Sequence, residues 1–475
     1  MTILDIIHTT TVDERVNQAI TKAKANQSQL NAMVNFIDPS EQIKQLNNVS
    51  KDAKLYGLPI VLKDLVNMKG TLTTGSSKIL ENYVSPYNAT ITNKLIQAGA
   101  IIIGKSSCDT FGMGGTNMTA ATGPVYNPYD LSRMSGGSSG GSAVLVASGV
   151  VSMAIGSDTG DSVRKPASFN NIVGVKPTYG RISRYGIIPY ASSLDHVGYF
   201  TRNVFDAALI LEVLAGRDDK DMTSLNSPVP EYSKNLSADL KGKRFGVMSN
   251  VLNAIKNPVV LKQFNTLLDQ LKAKGAIIVD IKLNEDLMHA MLPTYYIIAN
   301  AEATANHSNL DGLRFGMQQD GKDVEDIMTH SRTVGFGKLI RKRFVIGSYA
   351  LFIENQEFLF RKAQKVRRLI VEDITKALSL CDALIAPASN QGALKINDTK
   401  TDQLSSEYLI AENYMALANF SGYPSMTLPF AYDEENLPVG INLTCIREAE
   451  QMMFNLALGI ESCTNLKDQI KEVQS

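Results

Sequence analysis

Residues 58–62 read LPIVL, residues 100–104 read AIIIG, and between them at 90–99 lies TITNKLIQAG. Two short apolar, β-branched runs bracket a stretch whose apolar residues recur at helical spacing, so the segment reads as strand, helix, strand. The same texture returns where KRFGVM (243–248) and AIIVDI (276–281) flank VVLKQFNTLLDQLKAKG (259–275). Alternation of this kind predicts an α/β fold built on a large open sheet, mixed or partly parallel, with helices on both faces.

Outward from this frame the texture changes. Residues 12–50 are rich in Lys, Gln, Asn and Glu, and their apolar members Val16, Ile20, Leu30, Met33 and Val34 fall at helical spacing. They read as exposed amphipathic helices leading into the body. Toward the other end, FLFRKAQKVRRLIVEDITKALSL (358–380) belongs to a stretch from about Ala350 that reads as one long amphipathic helix with a solvated basic face. Ser227 to Leu240 reads as a surface connection. No repeat and no long Pro/Gly/Ser linker marks a boundary, so the expectation is a single domain over 1–475 with a helical lead-in over about 1–50.

Lys plus Arg equals Asp plus Glu at 47 each, a balance that excludes a protein gripping nucleic acid unaided. Any RNA would be held by local patches or by another subunit. The four cysteines, Cys108, Cys381, Cys445 and Cys463, are scattered with no C-x-x-C pair, which argues against a disulfide framework or a zinc site and for a reducing cytoplasm. The N-terminal residues carry no basic region followed by a long apolar run, and Ala143 to Ile155 is too short to span a bilayer. A cytoplasmic protein is expected.

Two nucleotide-like and hydrolase-like patterns are decoys. GAIIIGKS (99–106) satisfies G-x-x-x-x-G-K-[ST], but Ile101, Ile102 and Ile103 belong in a buried strand rather than in a loop around phosphate. SGGSSGGS (135–142) contains G-x-S-x-G twice, yet the preceding NPYDLSRM is not the buried strand that a nucleophile elbow follows, and the five histidines carry no supporting motif. What the Gly/Ser runs at 135–142 and in GSDTGDSVRKPAS (156–168) do offer is backbone N–H groups able to approach a ligand closely, the requirement for holding an oxyanion.

Lys63 ends the run LPIVL, where a strand enters the core. Burying an ammonium costs several kcal/mol unless it is paired or loses its proton. One reading pairs it with Asp64 at the strand end; the other makes it a neutral base able to take a proton from a serine directly or through a second hydroxyl.

LPIVLKD (58–64), GPVYNPYDLSRMSGGSSGGSA (123–143), GSDTGDSVRKPASFNNIVGVKPTYGRISRYG (156–186) and YASSLDHVG (190–198), in this order and spacing, resemble the amidase-signature family. The match is strong over about 50–205 and looser to about 460. It implies the amidase-signature fold and a Ser–cis-Ser–Lys triad with Ser162 as nucleophile, Ser138 as the bridging serine at a cis peptide bond, and Lys63 as base. It places the oxyanion hole on the backbone of Thr159, Gly160, Asp161 and Ser162. YYIIANAEATANHSNLDGLRFG (295–316) and IRKRFVIGSYAL (340–351) are similar to the branch of that family formed by the A subunits of tRNA-dependent amidotransferases. That branch implies glutamine as ammonia donor, Arg343 for its α-carboxylate with Arg341 as rival, and Glu412, where aspartate is commoner, for its α-ammonium. It also implies GatB-like and GatC-like partner subunits, aminoacylated tRNA reached through the complex, and no cofactor or metal in this chain, ATP and Mg being used by a partner.

Two departures stand out. Asp161 occupies a position usually taken by glycine and puts a carboxylate beside the oxyanion site, offset in this reading by Arg164 or Lys165. Asn170 and Asn171 stand where Cys-Gly is common and read as a packing change. Two alternatives follow, a free-standing amidase on other carboxamides and, motivated by Asp161, a catalytically silent scaffold subunit.

Overall fold

In the computed structural model, which describes residues 1–396 and 413–473, the body is an eleven-stranded sheet. Strands β1 (Met33–Phe36), β2 (Pro59–Lys63), β3 (Ile101–Ser106), β6 (Ala154–Asp158), β7 (Val173–Lys176), β8 (His196–Thr201), β9 (Arg244–Met248), β10 (Ile277–Ile281), β11 (Ala383–Pro387), β12 (Ser425–Tyr432) and β13 (Pro438–Thr444) lie in the order β1-β3-β2-β6-β8-β7-β12-β13-β11-β9-β10. The short β4 (Tyr126–Asn127) and β5 (Asp130–Met134) pair separately. One wing, β3-β2-β6, is parallel, as is the other, β11-β9-β10; the middle, from β6 through β8, β7, β12 and β13 to β11, is antiparallel. The mixed α/β architecture predicted from strand–helix alternation is what forms.

Every residue of β2 and β3 is buried, as a strand covered on both faces requires, and this explains their unbroken apolar runs. The helix between them, Thr90–Gln97, buries Ile91, Thr92 and Leu95. GAIIIGKS is therefore core strand, and Lys105, fully buried, turns inward to donate to the Val66 carbonyl and Thr73 Oγ1.

The lead-in differs from its helical reading. A helix does occupy Val12–Leu30, but Asn31 ends it in the left-handed conformation (φ 50°), and Met33 and Val34 enter edge strand β1, antiparallel to β3. Gln27 locks the corner by bonding both the N–H and the carbonyl of Met33. The long helix expected from Ala350 also divides. Helix Lys338–Leu351 stops at Phe352, whose ψ of 141° is extended, and a π-helical turn at Glu357–Arg361 leads into helix Lys362–Leu380. Asn355 closes the break by donating to the Tyr349 carbonyl.

Because β2 and β6 are parallel neighbours, their carboxyl ends, Lys63 and Ser157–Asp158, emerge at the same edge of the sheet. Ligands of open α/β sheets bind at such edges.

Candidate active site

Lys63 is fully buried at the end of β2, and its ammonium nitrogen donates to three hydroxyls, Ser138 Oγ at 2.7 Å, Ser139 Oγ at 2.8 Å and Ser157 Oγ at 2.9 Å. The neighbouring carboxylate is engaged elsewhere: Asp64 accepts from Thr74 N and Oγ1 and from Ser76 N. The pairing with Asp64 open to the sequence is therefore not made. Burial pushes the Lys63 ammonium below the usual lysine range, partly opposed by Cys108, Asp109, Asp158 and Asp195 nearby. Cys108, also buried, has its thiol pushed up to about 12 by desolvation, so it stays protonated beside this lysine.

The run SGGSSGGS is shaped by close approaches. Gly136 adopts φ +76°, and at Gly137 a β-carbon would lie 2.1 Å from Asp109 Oδ2 and 2.6 Å from Asn117 N. Only glycine fits there. The Gly137–Ser138 peptide bond is cis. Asp109 N donates to the Ser138 carbonyl at 3.1 Å, and Asn117 Oδ1 accepts from Gly140 N at 2.9 Å where the buried helix Gly140–Ala147 begins.

Ser162 lies in the turn between β6 and helix Arg164–Phe169, buried at 3% exposure. An internal charge pair fixes that turn. Asp158 and Arg164 are both fully buried and bond twice, Nη2 to Oδ1 at 2.9 Å and Nε to Oδ2 at 3.0 Å, while Asp158 Oδ2 also accepts from Val163 N. Although burial alone would raise it, the Arg164 guanidinium holds the Asp158 carboxyl well below the usual range. Arg164 spends its remaining donors on the carbonyls of Gly160 and Met415 and on Asn419 and Ser425. These bonds, with the pair to Asp158, hold the guanidinium in place.

The Ser162 turn meets the Gly/Ser run through its backbone, Ser139 N donating to the Ser162 carbonyl at 3.2 Å. Among the described residues no hydrogen bond joins the Ser162 and Ser138 hydroxyls. Thr159 and Gly160 are buttressed from outside, Thr159 Oγ1 donating to Asp195 at 2.7 Å and Gly160 lying so close to Tyr295 that a β-carbon would be 3.1 Å from its hydroxyl. The Asp161 carbonyl accepts from Lys165 N at 2.8 Å. Burial and then Tyr190 hold the Tyr295 hydroxyl well above its usual range, Arg343 opposing and Asp161 adding to the rise.

Arg343, half-buried on helix Lys338–Leu351, donates to the Tyr190 hydroxyl and lies over the rings of Tyr190 and Tyr296 at 5.7 and 5.5 Å. Tyr190 also lines a cavity of about 240 Å³ whose wall includes Ser157, Thr159, Asp195 and His196. Arg343 touches this wall through Tyr190 and Lys63 touches it through Ser157; neither cation is itself among the lining residues. Arg341 instead lines a separate groove with Val324, Met328 and Phe344. Glu412 lies outside the described residues. Sequence reasoning misses Ser139 and Ser157; both stand inside the Gly/Ser motifs, and the parallel register of β2 with β6 is the signal that brings Ser157 to Lys63. Among the described residues no group of three or more His, Cys, Asp or Glu side chains is placed to hold a metal, and no helix is long and apolar enough to cross a membrane.

The amidase family model matches residues 14–454. The glutamyl-tRNA(Gln) amidotransferase A subunit of Microcystis aeruginosa is 43% identical over 86% of this chain and 84% of its own length. That of Deinococcus deserti is 39% identical over 95% and 93%. Among solved structures, the glutamyl-tRNA(Gln) amidotransferase A subunit of Thermotoga maritima superposes with a TM-score of 0.83 at 33% identity, covering 100% of this chain and 98% of that one. The peptide amidase of Stenotrophomonas maltophilia superposes with a TM-score of 0.82 at 26% identity, covering 98% and 96%.

Proposed function

The chain belongs to the amidase family, and we propose that within it this protein is the glutamine-hydrolysing A subunit of a tRNA-dependent amidotransferase. The observation that carries the reading is the buried lysine held by three serine hydroxyls, with no carboxylate of the described residues in bonding contact. A buried lysine without an ion-pair partner favours its neutral form, which is the form a base requires.

In this mechanism Ser162 attacks the carboxamide carbon of glutamine while its proton passes through Ser138 to Lys63. The missing Ser162–Ser138 contact closes when substrate turns the nucleophile, since catalytic hydrogen bonds often tighten only in the complex. Backbone N–H groups of Thr159, Gly160, Asp161 and Ser162 receive the charge on the carbonyl oxygen. Ammonia leaves with the proton returned from Lys63, and water then releases glutamate from the acyl-enzyme by the same relay. Arg343, already oriented by Tyr190 and Tyr296, takes the α-carboxylate. Glu412 takes the α-ammonium. Ser139 and Ser157 accept the two N–H bonds of neutral Lys63, which leaves its lone pair to Ser138.

This route draws on no cofactor in the chain. GatB-like and GatC-like partners would use ATP and Mg to activate the tRNA-borne carboxylate of Glu-tRNA(Gln), and of Asp-tRNA(Asn) where that substrate is used, for attack by the ammonia. We read residues 1–475 as one cytoplasmic unit of that complex. Purification of the tagged chain from its native source, followed by glutaminase and tRNA-amidation assays with and without co-purifying subunits, tests the reading. Glutamine hydrolysis by the chain and amidation by the complex are expected. A complex that amidates tRNA only with free ammonia, never with glutamine, would defeat it.

A further inference from the structure

Asp195 immediately precedes β8, in the block YASSLDHVG, and takes no part in the proton relay. The register of the sheet decides what it meets. β6 and β8 are antiparallel with Asp158 opposite His196, so the next pair past the end of the ladder is Thr159 opposite Asp195. Residues directly opposite hold their β-carbons about 5 Å apart, close enough for short polar side chains to bond. The bond forms, Thr159 Oγ1 donating to Asp195 Oδ1 at 2.7 Å.

The second carboxylate oxygen holds a different segment. Asp195 Oδ2 accepts from Tyr190 N at 2.8 Å and from Ala191 N at 3.0 Å. Both residues are buried, where an N–H without a partner carries a desolvation penalty. Leu194 N and Asp195 N in turn donate to the Ala191 carbonyl, each at 2.8 Å, so residues 190–195 close into one turn around the carboxylate. The far side of that turn is tied as well, Asn306 Nδ2 donating to the Tyr190 carbonyl at 3.1 Å. Asn306 ends helix Glu285–Asn306, and helix Lys338–Leu351 packs so tightly on it that a β-carbon at Gly347 would lie 2.1 Å from the Asn300 carbonyl oxygen. Arg343 belongs to this second helix and donates to the Tyr190 hydroxyl.

We propose that Asp195 is a positioning residue that couples the two ends of the substrate site; this rests on the function proposed above. Through Oδ1 it sets Thr159 and the backbone N–H groups that receive the oxyanion. Through Oδ2 it sets Tyr190, and with it Arg343, which receives the α-carboxylate. One side chain thereby fixes the distance between the reacting carbonyl of glutamine and its amino-acid end. Thr159, Tyr190 and Asp195 line the same cavity, so the brace stands in the wall of the site itself. Its bonds are charge-assisted, about twice as strong as neutral ones, and a misplacement of about 1 Å in such a site costs a large part of the rate. Both Asp195 oxygens meet protein donors, which suits a group that positions rather than one that takes a proton.

Steady-state glutaminase kinetics on the full chain, purified from its native source with the subunits that accompany it, separate the two arms. Asp195→Ala should lower kcat for glutamine at least about tenfold and raise KM at least about threefold. Thr159→Val keeps the shape of the side chain and loses the bond to Oδ1; it should lower kcat about fivefold and leave KM unchanged. Tyr190→Phe loses the hydroxyl that Arg343 meets and should raise KM with little change in kcat. Added to Asp195→Ala, Thr159→Val should cost no further kcat, because the bond it removes is already gone. Asp195→Asn keeps an oxygen for the two loop N–H groups and an amide able to donate to Thr159 Oγ1, and should return both constants to within about threefold of the parent. An Asp195→Ala chain with a lowered melting temperature but parent-like kcat and KM has only a structural aspartate, which overturns the proposal. Losses from Thr159→Val and Asp195→Ala that multiply overturn it too. Where Asp195→Ala does not fold, Thr159→Val decides: a kcat loss at constant KM supports the brace, and parent-like kcat refutes it. A parent that hydrolyses no glutamine defeats the functional reading and the brace together, whereas an active parent indifferent to these changes defeats the brace alone.

Discussion

Asp158 and Arg164 form a two-pronged ion pair, both side chains sealed from solvent, across the turn that presents Ser162. Asn419 completes the cluster, donating to Asp158 and accepting from Arg164. The pair does for the turn what a disulfide does for a secreted loop: it fixes the path of the backbone between β6 and the helix at Arg164–Phe169.

Replacing Asp158 by Asn leaves the Arg164 charge buried and half-paired, and removal of one partner of a buried pair costs about 3–5 kcal/mol. Urea denaturation should register that loss, and kcat should fall far more than KM rises, because Arg343 is on another element. The pH dependence has a definite sign. The Asp158 carboxyl is depressed in the folded state, so its stabilisation is present above the unfolded value of ~3.9 and fades as pH falls below it. The gap between parent and Asp158→Asn should narrow in acid; a gap constant with pH would show that the pair's charge is not what holds the turn.

Ser162→Ala should abolish glutamine hydrolysis while the melting temperature stays near that of the parent. Lys63→Ala and Ser138→Ala should each lose orders of magnitude in kcat, and the double variant no more than the worse single, since a relay acts as one unit. Losses that multiply would assign these side chains separate, structural roles.

Burial depresses the Lys63 ammonium, so the folded chain binds that proton less readily than the unfolded chain. The lysine's burial then costs stability at neutral pH, and the cost shrinks as pH climbs from the depressed value toward ~10.4. Lys63→Met, of similar length and without charge, should be inactive yet more stable by about 1–4 kcal/mol near neutrality. The gain should diminish at alkaline pH. An inactive variant less stable than the parent would mean that the three serine bonds outweigh desolvation.

Arg343→Ala should weaken use of glutamine by about 2–3 kcal/mol in kcat/KM, roughly 30- to 150-fold, as expected for a lost charge-assisted bond to a carboxylate. A neutral amide without an α-carboxylate should be affected little. Arg341→Ala, whose side chain lines the neighbouring groove, should leave both substrates unchanged. Equal losses on glutamine and neutral amide would remove Arg343 from substrate recognition.

The sheet is legible because buried parallel strands must be written as apolar runs: LPIVL and AIIIG could be little else. Met33 and Val34 mislead because an edge strand four residues long has no room for its own periodicity, and one left-handed residue, Asn31, redirects the chain. The break at Phe352 is hidden for a related reason. Its neighbours keep helical propensity on both sides, and only the backbone angles reveal the turn. Lys63, Ser138 and Ser162 are visible through the resemblance, whereas Ser139 and Ser157 depend on which strands become neighbours, a relation that no local pattern encodes.

Asp161 bears most directly on whether the site is catalytic at all. Its backbone is committed to the turn, the carbonyl accepting from Lys165 N at 2.8 Å, and its charge contributes to raising the Tyr295 hydroxyl. Tyr295 packs on Gly160, and Tyr190 receives the Arg343 bond. A carboxylate aimed at the oxyanion would oppose it by roughly 1–4 kcal/mol at about 4 Å. One turned away from it, with only the backbone N–H facing the carbonyl, would not. Asp161→Gly is therefore expected to leave glutaminase activity within about tenfold of the parent, some 1.4 kcal/mol of transition-state stabilisation. Any loss that does occur should be greater for glutamine than for a neutral amide, because only glutamine carries an α-ammonium for the carboxylate to attract. Steady-state kinetics on both substrates decides. An inactive parent awakened by Asp161→Gly would make this chain a scaffold whose oxyanion site is blocked by its own charge, and an active parent silenced by it on both substrates would show that the aspartate acts on the reacting carbonyl itself.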